Sequence, residues 1–311
     1  MALASALPQL DGGLFLTDGG LETDLIFNDG VELPEFAAFV LLDDDDGLAA
    51  LRRYYARFTE IADRHDTGFV LESPTWRSNP DWGEKLGYGR EELTAANRRA
   101  IELMIALRGE LAGSAGPIVV SGCVGPRGDG YVTGAAMTAE EAAEYHRLQV
   151  EAFDSAGADM VSAITMTNVA EATGVATAAA AAGIPSAISF TIETDSHLPD
   201  GTPLLDAIVA VDDATGGAPA YYMINCAHPD HFSDVLDEAV PATGRIRGLR
   251  ANASRMSHEE LDAAEELDDG DPLELGAQYA EIRQRFPAIN VLGGCCGTDA
   301  RHVAAIADAC S

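Results

Sequence analysis

Two adjacent cysteines near the end of the chain are the residues with the clearest chemical potential. Cys295 and Cys296 lie in the stretch "NVLGGCCGTDA" (290–300), with two glycines before them and one after. Such a pair could form a strained disulfide, pack as two inert thiols, or bind a soft metal ion through sulfur. A third cysteine, Cys226, follows the apolar run "YYMIN" and could complete a metal site.

The residues around the adjacent pair favour metal binding. Neighbouring side chains on an extended strand point to opposite faces, so two adjacent thiols reach one ion only where the backbone turns. Gly293, Gly294 and Gly297 permit such a turn because glycine adopts backbone angles that other residues avoid. The five cysteines are an odd number, which disfavours a disulfide framework. Three thiolates with a vacant fourth position are the arrangement of a catalytic Zn²⁺ site.

The other sulfur and imidazole side chains are interpreted as supporting residues. Cys123 follows another apolar run and is interpreted as a nearby thiol that does not bind the metal. Cys310 lies one residue from the end and is interpreted as having no role in the site. His228 and His231 follow Cys226 closely. Since three cysteines already form a ligand set, loop or supporting roles are the interpretation of both histidines.

Eight short apolar or β-branched runs alternate with longer segments of helical period. Their continuous apolar character is typical of parallel strands buried on both faces. An open doubly wound sheet is the competing architecture, but "TDGGLET" does not fit its Gly-x-Gly-x-x-Gly turn. The pattern predicts an α/β fold, a single (β/α)8 TIM barrel domain over residues 1–311, with strands at 14–18, 69–73, 118–122, 160–165, 186–192, 221–225, 246–251 and 289–294.

The chemically distinctive residues all fall where such a barrel carries its active site. Chemistry in these barrels sits at the C-terminal ends of the strands. Asp18 ends the first predicted strand, Cys226 follows the sixth, and Cys295 and Cys296 follow the eighth. The sixth and eighth strands are two positions apart, at ~4.8 Å per strand spacing. We therefore expect the three cysteine sulfurs to meet around one ion.

The chain is strongly acidic, with 51 acidic residues against 19 basic ones and a formal charge of −32. Nucleic acid and anionic membranes need a positive surface and are excluded as partners. No apolar stretch approaches the ~20 residues of a membrane span, and the start "MALASALPQL" lacks the charged region of a signal peptide. We expect a cytoplasmic protein. Its acidity is typical of a high-salt interior, where self-repulsion is screened.

These motifs resemble those of the homocysteine S-methyltransferase family, zinc-dependent (β/α)8 enzymes that include betaine–homocysteine methyltransferase and the homocysteine module of methionine synthase. The resemblance covers nearly the whole chain. "DGGLET" (18–23) is similar to the N-terminal signature of the family, and "GCVGPRGDGY" (122–131) to its glycine–proline loop. "INC" (224–226) and "GGCCGT" (293–298) are similar to its zinc-ligand motifs. The resemblance implies that Cys226, Cys295 and Cys296 bind Zn²⁺ and support catalysis.

The activity implied by the resemblance is methyl transfer from S-methylmethionine or S-adenosylmethionine to homocysteine, giving methionine. A free thiol has a pKa of about 8.5 and is mostly protonated at neutral pH. Coordination to a metal ion deprotonates it, which makes the sulfur a nucleophile toward the methyl group of a sulfonium donor. The donor then leaves as a neutral thioether, so the reaction needs no general acid.

The resemblance also implies substrate contacts. The aspartate of the first motif, Asp18, would bind the amino group of homocysteine, and the amides of Gly19 and Gly20 would lie near its carboxylate. Thr75, after the second strand, corresponds to a threonine on the substrate side, and Asn225 precedes the first zinc cysteine. We count all five among the candidate substrate-binding residues.

One position departs from the family pattern. Family members carry a glutamate at the end of the fourth strand as a second contact to the amino group, and Ile164 stands there in this chain. An apolar side chain cannot pair with an ammonium group. Glu72 and Glu193 end neighbouring strands and are the candidate replacements, with solvated loop charges as the alternative interpretation.

Several alternatives stay open on sequence alone. The acceptor could be a different thiol or a selenol, or the chain could be a non-catalytic zinc- or redox-sensing barrel. Trp76, Arg77 and Trp82 could line the donor pocket or pack against a helix. The sequence determines neither the donor nor whether the protein forms a homo-oligomer.

Overall fold

Eight parallel strands close into one barrel in chain order, and β8 pairs with β1. The computed structural model describes residues 7–111, 116–131, 137–264 and 266–311. The predicted (β/α)8 fold is confirmed, and closure rules out the open sheet. The strands are β1 (Phe15–Leu16), β2 (Gly68–Glu72), β3 (Ile118–Val124), β4 (Met160–Met166), β5 (Ser186–Thr191), β6 (Tyr221–Asn225), β7 (Ile246–Ala251) and β8 (Val291–Gly294).

Helices separate the strands as the periodicity predicts, and several short ones follow strand ends. Two strands, β6 and β7, have the predicted bounds, while β8 begins two residues later than predicted. The α-helices are α1 (Leu21–Thr23), α2 (Asp45–Arg64), α3 (Pro80–Lys85), α4 (Arg90–Glu110), α5 (Ala139–Ala156), α6 (Val169–Ala182), α7 (Leu204–Thr215), α8 (His258–Asp262), α9 (Pro272–Arg285) and α10 (Ala300–Cys310).

Local sequence signals set the helix ends. At the start of α5, the Thr138 hydroxyl accepts a hydrogen bond from the Glu141 amide, and the Glu141 carboxylate accepts one from the Thr138 amide. This reciprocal pair satisfies two amides that the helix leaves without partners. The helix is capped by Gly157, whose φ of 90° is accessible to glycine. The alanine-rich helix α6 is capped in the same way by Gly183, with φ of 81°.

The N-terminal half of the barrel interior is filled by side chains. Apolar residues of several strands meet there, among them Phe15, Val70, Met160 and Tyr221. The buried Gln9, from a short 3-10 helix over Pro8–Asp11, lies beneath them and donates to the Met160 sulfur at 3.2 Å. The interior is therefore a packed core at this end, and space for a ligand lies toward the opposite mouth.

Within the described ranges, no helix combines the length and hydropathy needed to cross a lipid bilayer. Residues 1–6, which belong to the segment used to exclude a signal peptide, lie outside the described residues.

The glycines of β8 permit close contact between strands, which gives a test of the packing. A Cβ atom on Gly293 would lie 1.9 Å from Thr17 Oγ1 and 2.7 Å from the backbone oxygen of Asp18. Gly293→Ala should therefore destabilise the protein by about 1–3 kcal/mol through overpacking. Gly13→Ala is the matched control, because a Cβ there meets nothing within 4 Å. Thermal unfolding of both variants checks this, and equal melting temperatures would contradict it.

Candidate active site

Three cysteine sulfurs converge at the C-terminal mouth of the barrel. Cys226 follows β6, and Cys295 and Cys296 follow β8; their Sγ atoms all lie within 4.8 Å of one another. All five cysteines of the chain are free, so the adjacent pair forms no disulfide. Tetrahedral zinc with bonds of about 2.3 Å separates its sulfur ligands by about 3.8 Å. The cluster therefore fits a common soft cation.

Unusual backbone conformations bring the three thiols together. Cys226 has a φ of 52°, in the left-handed region that residues with a side chain rarely adopt. Such conformations cost about 1–3 kcal/mol and persist where the surroundings enforce them, commonly at functional sites. After β8 the chain turns sharply: the Thr298 amide donates to the Cys295 carbonyl, and Gly297 has a φ of 76°. This turn directs two adjacent side chains toward one point.

The thiols share negative charge among themselves. The neighbouring Cys226 and Cys296 thiols hold the pKa of Cys295 well below its usual range, and the nearby Arg250 guanidinium lowers it further. Conversely, the closeness of Cys295 is the largest cause of the raised pKa of Cys226. The cluster therefore favours ionisation at Cys295 over Cys226.

The two glycines of the "DGGLET" motif let the end of β1 pack against the cysteine turn. A Cβ on Gly19 would lie 2.7 Å from the Thr298 carbonyl oxygen, and one on Gly20 would lie 2.5 Å from the Cys295 carbonyl oxygen. The Gly20 amide already donates to the Thr298 oxygen at 3.0 Å. Both glycines line the cavity described next.

A cavity of about 390 Å³ opens at this mouth. The three cysteines contribute to its wall, together with aromatic side chains from the surrounding loops. Several candidate residues from the sequence also line it, namely Asp18, Gly19, Gly20, Glu72, Ile164, Trp76 and Arg77. The parallel strands thus bring together residues from nearly the whole length of the chain.

A buried arginine, which the sequence analysis did not single out, pairs with two of the cavity carboxylates. Arg250 Nη2 lies 2.5 Å from Asp18 Oδ1, and Nη1 lies 3.2 Å from Glu72 Oε2. The Tyr54 hydroxyl also donates to Asp18 Oδ2 at 3.1 Å. Burial raises the pKa of Asp18 and of Glu72, and Arg250 opposes the rise in both. An arginine one residue before the end of the strand "IRGLRA", near the catalytic mouth, was the signal available in the sequence.

Three of the predicted substrate residues do not line the cavity. The buried Thr75 hydroxyl donates to the Cys123 carbonyl at 2.7 Å. Glu193 Oε1 pairs with His258 Nδ1 at 2.9 Å. These two side chains have internal partners instead of facing the substrate space.

Asn225, the third of these residues, lies next to the cysteine cluster but outside the cavity lining. Its Nδ2 donates to Thr165 Oγ1 at 2.8 Å and lies 3.8 Å from Cys295 Sγ. Its Oδ1 accepts from the Thr165 amide and, at 2.6 Å, from the Ser189 hydroxyl. The Asn225 amide is therefore fully used in linking β4, β5 and β6 behind the thiols.

The remaining sulfur and imidazole groups stay outside the cluster. His228 is buried, which lowers its pKa to about 4, and its Nδ1 accepts from the Asp230 amide. His231 Nε2 lies 3.1 Å from the Arg255 carbonyl oxygen. Cys123 lines the cavity, and burial raises the pKa of its thiol well above the usual range. In the described ranges, the one group of residues that could hold a metal ion consists of cysteines alone.

Glu22 is a second residue that the sequence analysis did not select. It lies in α1 within the "DGGLET" motif and lines the cavity. Burial raises its pKa from 4.5 to about 7, and the nearby charges of Cys295 and Asp18 add to the rise. Among the residues that the structure describes, no cationic side chain approaches its carboxylate within ion-pair distance. Its position inside a recognisable motif was the available signal.

Fold and site together define a class of protein: a TIM barrel with a three-thiol candidate metal centre at its C-terminal mouth. The family model described as homocysteine S-methyltransferase matches residues 15–310. The chain therefore belongs to the homocysteine S-methyltransferase family, as the motifs predicted.

Individual relatives agree with this assignment. Homocysteine S-methyltransferase of Escherichia coli (strain K12) is 30% identical over 208 residues, which cover 62% of this chain and 63% of that enzyme's length. Homocysteine S-methyltransferase 4 of Zea mays is 24% identical over 329 aligned positions, covering 96% of this chain and 90% of the relative.

Solved structures share the fold. The oxidized form of the homocysteine methyltransferase MmuM from Escherichia coli superposes with a TM-score of 0.77 at 23% identity, covering 98% of this chain and 99% of that one. The metallated form has a TM-score of 0.74 at 22% identity, covering 99% and 98%. At these sequence identities, the structural similarity establishes the barrel fold alone.

The raised pKa of Glu22 predicts a pH-dependent loss of stability. Between pH 4.5 and about 7 the folded protein keeps the Glu22 proton while the unfolded chain releases it, so stability falls as pH rises through this window. Glu22→Gln is neutral throughout and lacks this loss. We expect the metal-free variant to melt a few degrees above wild type at about pH 8 and close to it at about pH 5.

Melting curves over this pH range check the prediction. Glu84→Gln, which removes a carboxylate at an exposed position on α3, is the control. A difference in melting temperature between Glu22→Gln and wild type that does not change with pH would contradict the raised pKa of Glu22.

Proposed function

We propose that this protein transfers a methyl group from a sulfonium donor to the thiol of homocysteine, giving methionine, and that the reaction depends on zinc. The observation that carries the proposal is the cluster of three free thiols in the wall of a cavity at the catalytic mouth of the barrel. Membership of the homocysteine S-methyltransferase family supports the reaction class and the acceptor. S-methylmethionine and S-adenosylmethionine are the proposed donors.

Cys226, Cys295 and Cys296 would hold the metal ion. Three sulfur ligands favour a soft or borderline cation, and among such ions zinc suits a site that performs no redox chemistry. The existence of a metallated form of the Escherichia coli relative agrees with metal binding. When bound, Zn²⁺ supplies a Lewis acid that keeps the acceptor sulfur deprotonated near neutral pH.

The rest of the cavity would orient the substrates and exclude water. The acceptor thiol releases its proton to solvent on binding, and its sulfur forms a new S–C bond as the S–CH₃ bond of the donor breaks. The donor leaves as a neutral thioether. Aromatic faces attract a sulfonium group, and Phe27, Phe36 and Trp76 line the cavity. The Trp76 ring is held by a hydrogen bond from Nε1 to the Ile164 carbonyl at 3.2 Å.

The ammonium group of homocysteine would meet Glu22 and Asp18. Ile164 lines the cavity but offers no charge, and the Arg250 guanidinium already pairs with Asp18 and Glu72. Glu22 is the lining carboxylate near Asp18 and Cys295 that forms no ion pair among the described residues, so it is free to pair with an incoming cation, whose charge would favour its ionised form. We therefore assign the larger share of ammonium recognition to Glu22.

A second candidate is a related methyltransferase with another thiol or a selenol as acceptor. The Asp18–Arg250 pair favours it, because an internal cation occupies the carboxylate that the family uses for the amino group. Both candidates use the same metal chemistry and differ in what the acceptor carries beyond its sulfur.

Removing one sulfur ligand tests the metal chemistry. Cys226→Ser should lose bound zinc and lower the rate of methionine formation at least 100-fold, because the acceptor thiol would no longer be deprotonated by a tightly held ion. Metal content by mass spectrometry and turnover with each donor are the measurements. Cys310→Ser, at the end of α10, is the control and should keep both. A metal-free Cys226→Ser protein with wild-type turnover would overturn the mechanism.

Acceptor recognition is tested by comparing homocysteine with 4-mercaptobutyrate, which lacks the amino group. Glu22→Gln should raise KM for homocysteine about tenfold, equivalent to about 1.4 kcal/mol, and leave KM for 4-mercaptobutyrate unchanged. Glu266→Gln, an exposed residue of the cavity wall, is the control. Wild-type turnover with other thiols but not homocysteine would favour the second candidate. Zinc binding without turnover on any thiol would indicate a sensor.

A further inference from the structure

We propose that Tyr131 and His258 are positioning residues for two of the three cysteines, and that Glu193 anchors His258. His258 would hold the backbone of Cys226 in the geometry needed for metal binding, while Tyr131 would orient the Cys296 sulfur and tune its donor strength. The inference rests on the proposed metal centre, and it assigns a role to Glu193, a residue that the sequence had placed against the substrate.

Tyr131 reaches the cluster through its hydroxyl. Its Oη donates a hydrogen bond to Cys296 Sγ at 3.2 Å, and the residue lines the cavity. A hydrogen bond to a thiolate withdraws negative charge from the sulfur, and contacts of this kind orient metal ligands and tune their donor strength. In a centre of three thiolates the bond would limit the excess negative charge and fix the direction of the Cys296 side chain.

The ring of Tyr131 is held in place by His258. The two rings stack with their centroids 4.1 Å apart and an interplanar angle of 18°. Tyr131 lies in the loop after β3, so its position depends on tertiary contacts of this kind. The Tyr131 amide also donates to Asp129 Oδ1 at 2.8 Å.

His258 also holds the backbone of Cys226. Its Nε2 donates to the Cys226 carbonyl oxygen at 2.7 Å, and its Nδ1 lies 2.9 Å from Glu193 Oε1. The Cys226 amide donates on the other side to the Arg250 carbonyl at 3.2 Å. Both polar groups of Cys226 are therefore restrained, which explains how a non-glycine residue keeps a φ of 52°.

The three supporting residues come from three separate parts of the barrel. Tyr131 follows β3, Glu193 follows β5, and His258 begins α8 after β7. Two of them contact the cysteine cluster directly, Tyr131 at Cys296 and His258 at Cys226, and Glu193 contacts His258. Loss of the His258 bond would release the Cys226 peptide toward ordinary backbone angles and move its sulfur from the common point.

Cobalt(II) provides the test, because its thiolate-to-metal charge-transfer absorption reports on the sulfur ligands without any substrate. Tyr131→Phe keeps the stacked ring and removes only the hydroxyl. We expect this variant to bind cobalt with affinity close to that of wild type and to shift the sulfur-to-cobalt charge-transfer band to longer wavelength. The shift follows because a thiolate without a hydrogen bond is easier to oxidise.

His258→Ala should weaken cobalt and zinc affinity ten- to a hundredfold, as measured by competition with a chelator. His258→Gln can still donate to the Cys226 carbonyl and should recover part of the loss. His231→Gln is the matched control, since His231 bonds the Arg255 carbonyl. Circular dichroism confirms that each variant is folded.

The outcomes separate this inference from the proposed reaction. An unchanged charge-transfer band in Tyr131→Phe together with unchanged affinity in His258→Ala would overturn the inference, even if wild-type protein methylates homocysteine. The expected changes in a protein that methylates no thiol would support the inference and contradict the reaction. A wild-type protein that binds no cobalt would overturn both.

Discussion

The convergence of three sulfur atoms on one point is the constraint on which the rest of the site depends. Thiolates repel one another, so they stay together only if they share protons or a cation and if the backbone prevents their separation. The structure meets the second condition with a left-handed residue at Cys226 and a sharp turn after β8. Gly19 and Gly20 allow the end of β1 to press against that turn. Local strain and close packing thus concentrate where the chemistry is proposed.

Charge balance is the second feature that organises the cavity. Arg250 lies between Asp18 and Glu72 and also lowers the pKa of Cys295, so a single buried cation compensates carboxylates and thiols together. Buried charges are tolerated when they are paired in this way. Glu22, which is half-buried, has no ion-pair partner among the described residues, and loss of solvent around it raises its pKa to about 7. A cavity with this residual negative character suits substrates that carry a positive charge, as the proposed sulfonium donor and amino-acid acceptor do.

The fold and the thiol cluster could be predicted because both follow from short-range signals. Continuous apolar runs such as β6 and β7 mark buried parallel strands, and their bounds were correct to the residue. Since parallel strands of a barrel all end at one mouth, residues at those ends were expected to meet, and the cysteines do. The same reasoning placed Glu193 beside the substrate, and the family resemblance placed Thr75 there, and both arguments were less informative. Position at a strand end does not determine where a side chain points, and both bond to the protein instead.

By itself, the sequence determined the barrel, the family and the identity of the three sulfur residues, because periodicity, glycine placement and motif chemistry are local properties. Only the tertiary structure determined which residues form the ion pairs and hydrogen bonds of the site. Arg250 and Asp18 are 232 positions apart, and Tyr131 meets Cys296 across 165 positions. Such pairs depend on the closure of β8 against β1 and on loops from different strands meeting above the barrel. No spacing rule encodes those distances, which is why the charge network and the support of the cysteines emerged only in three dimensions.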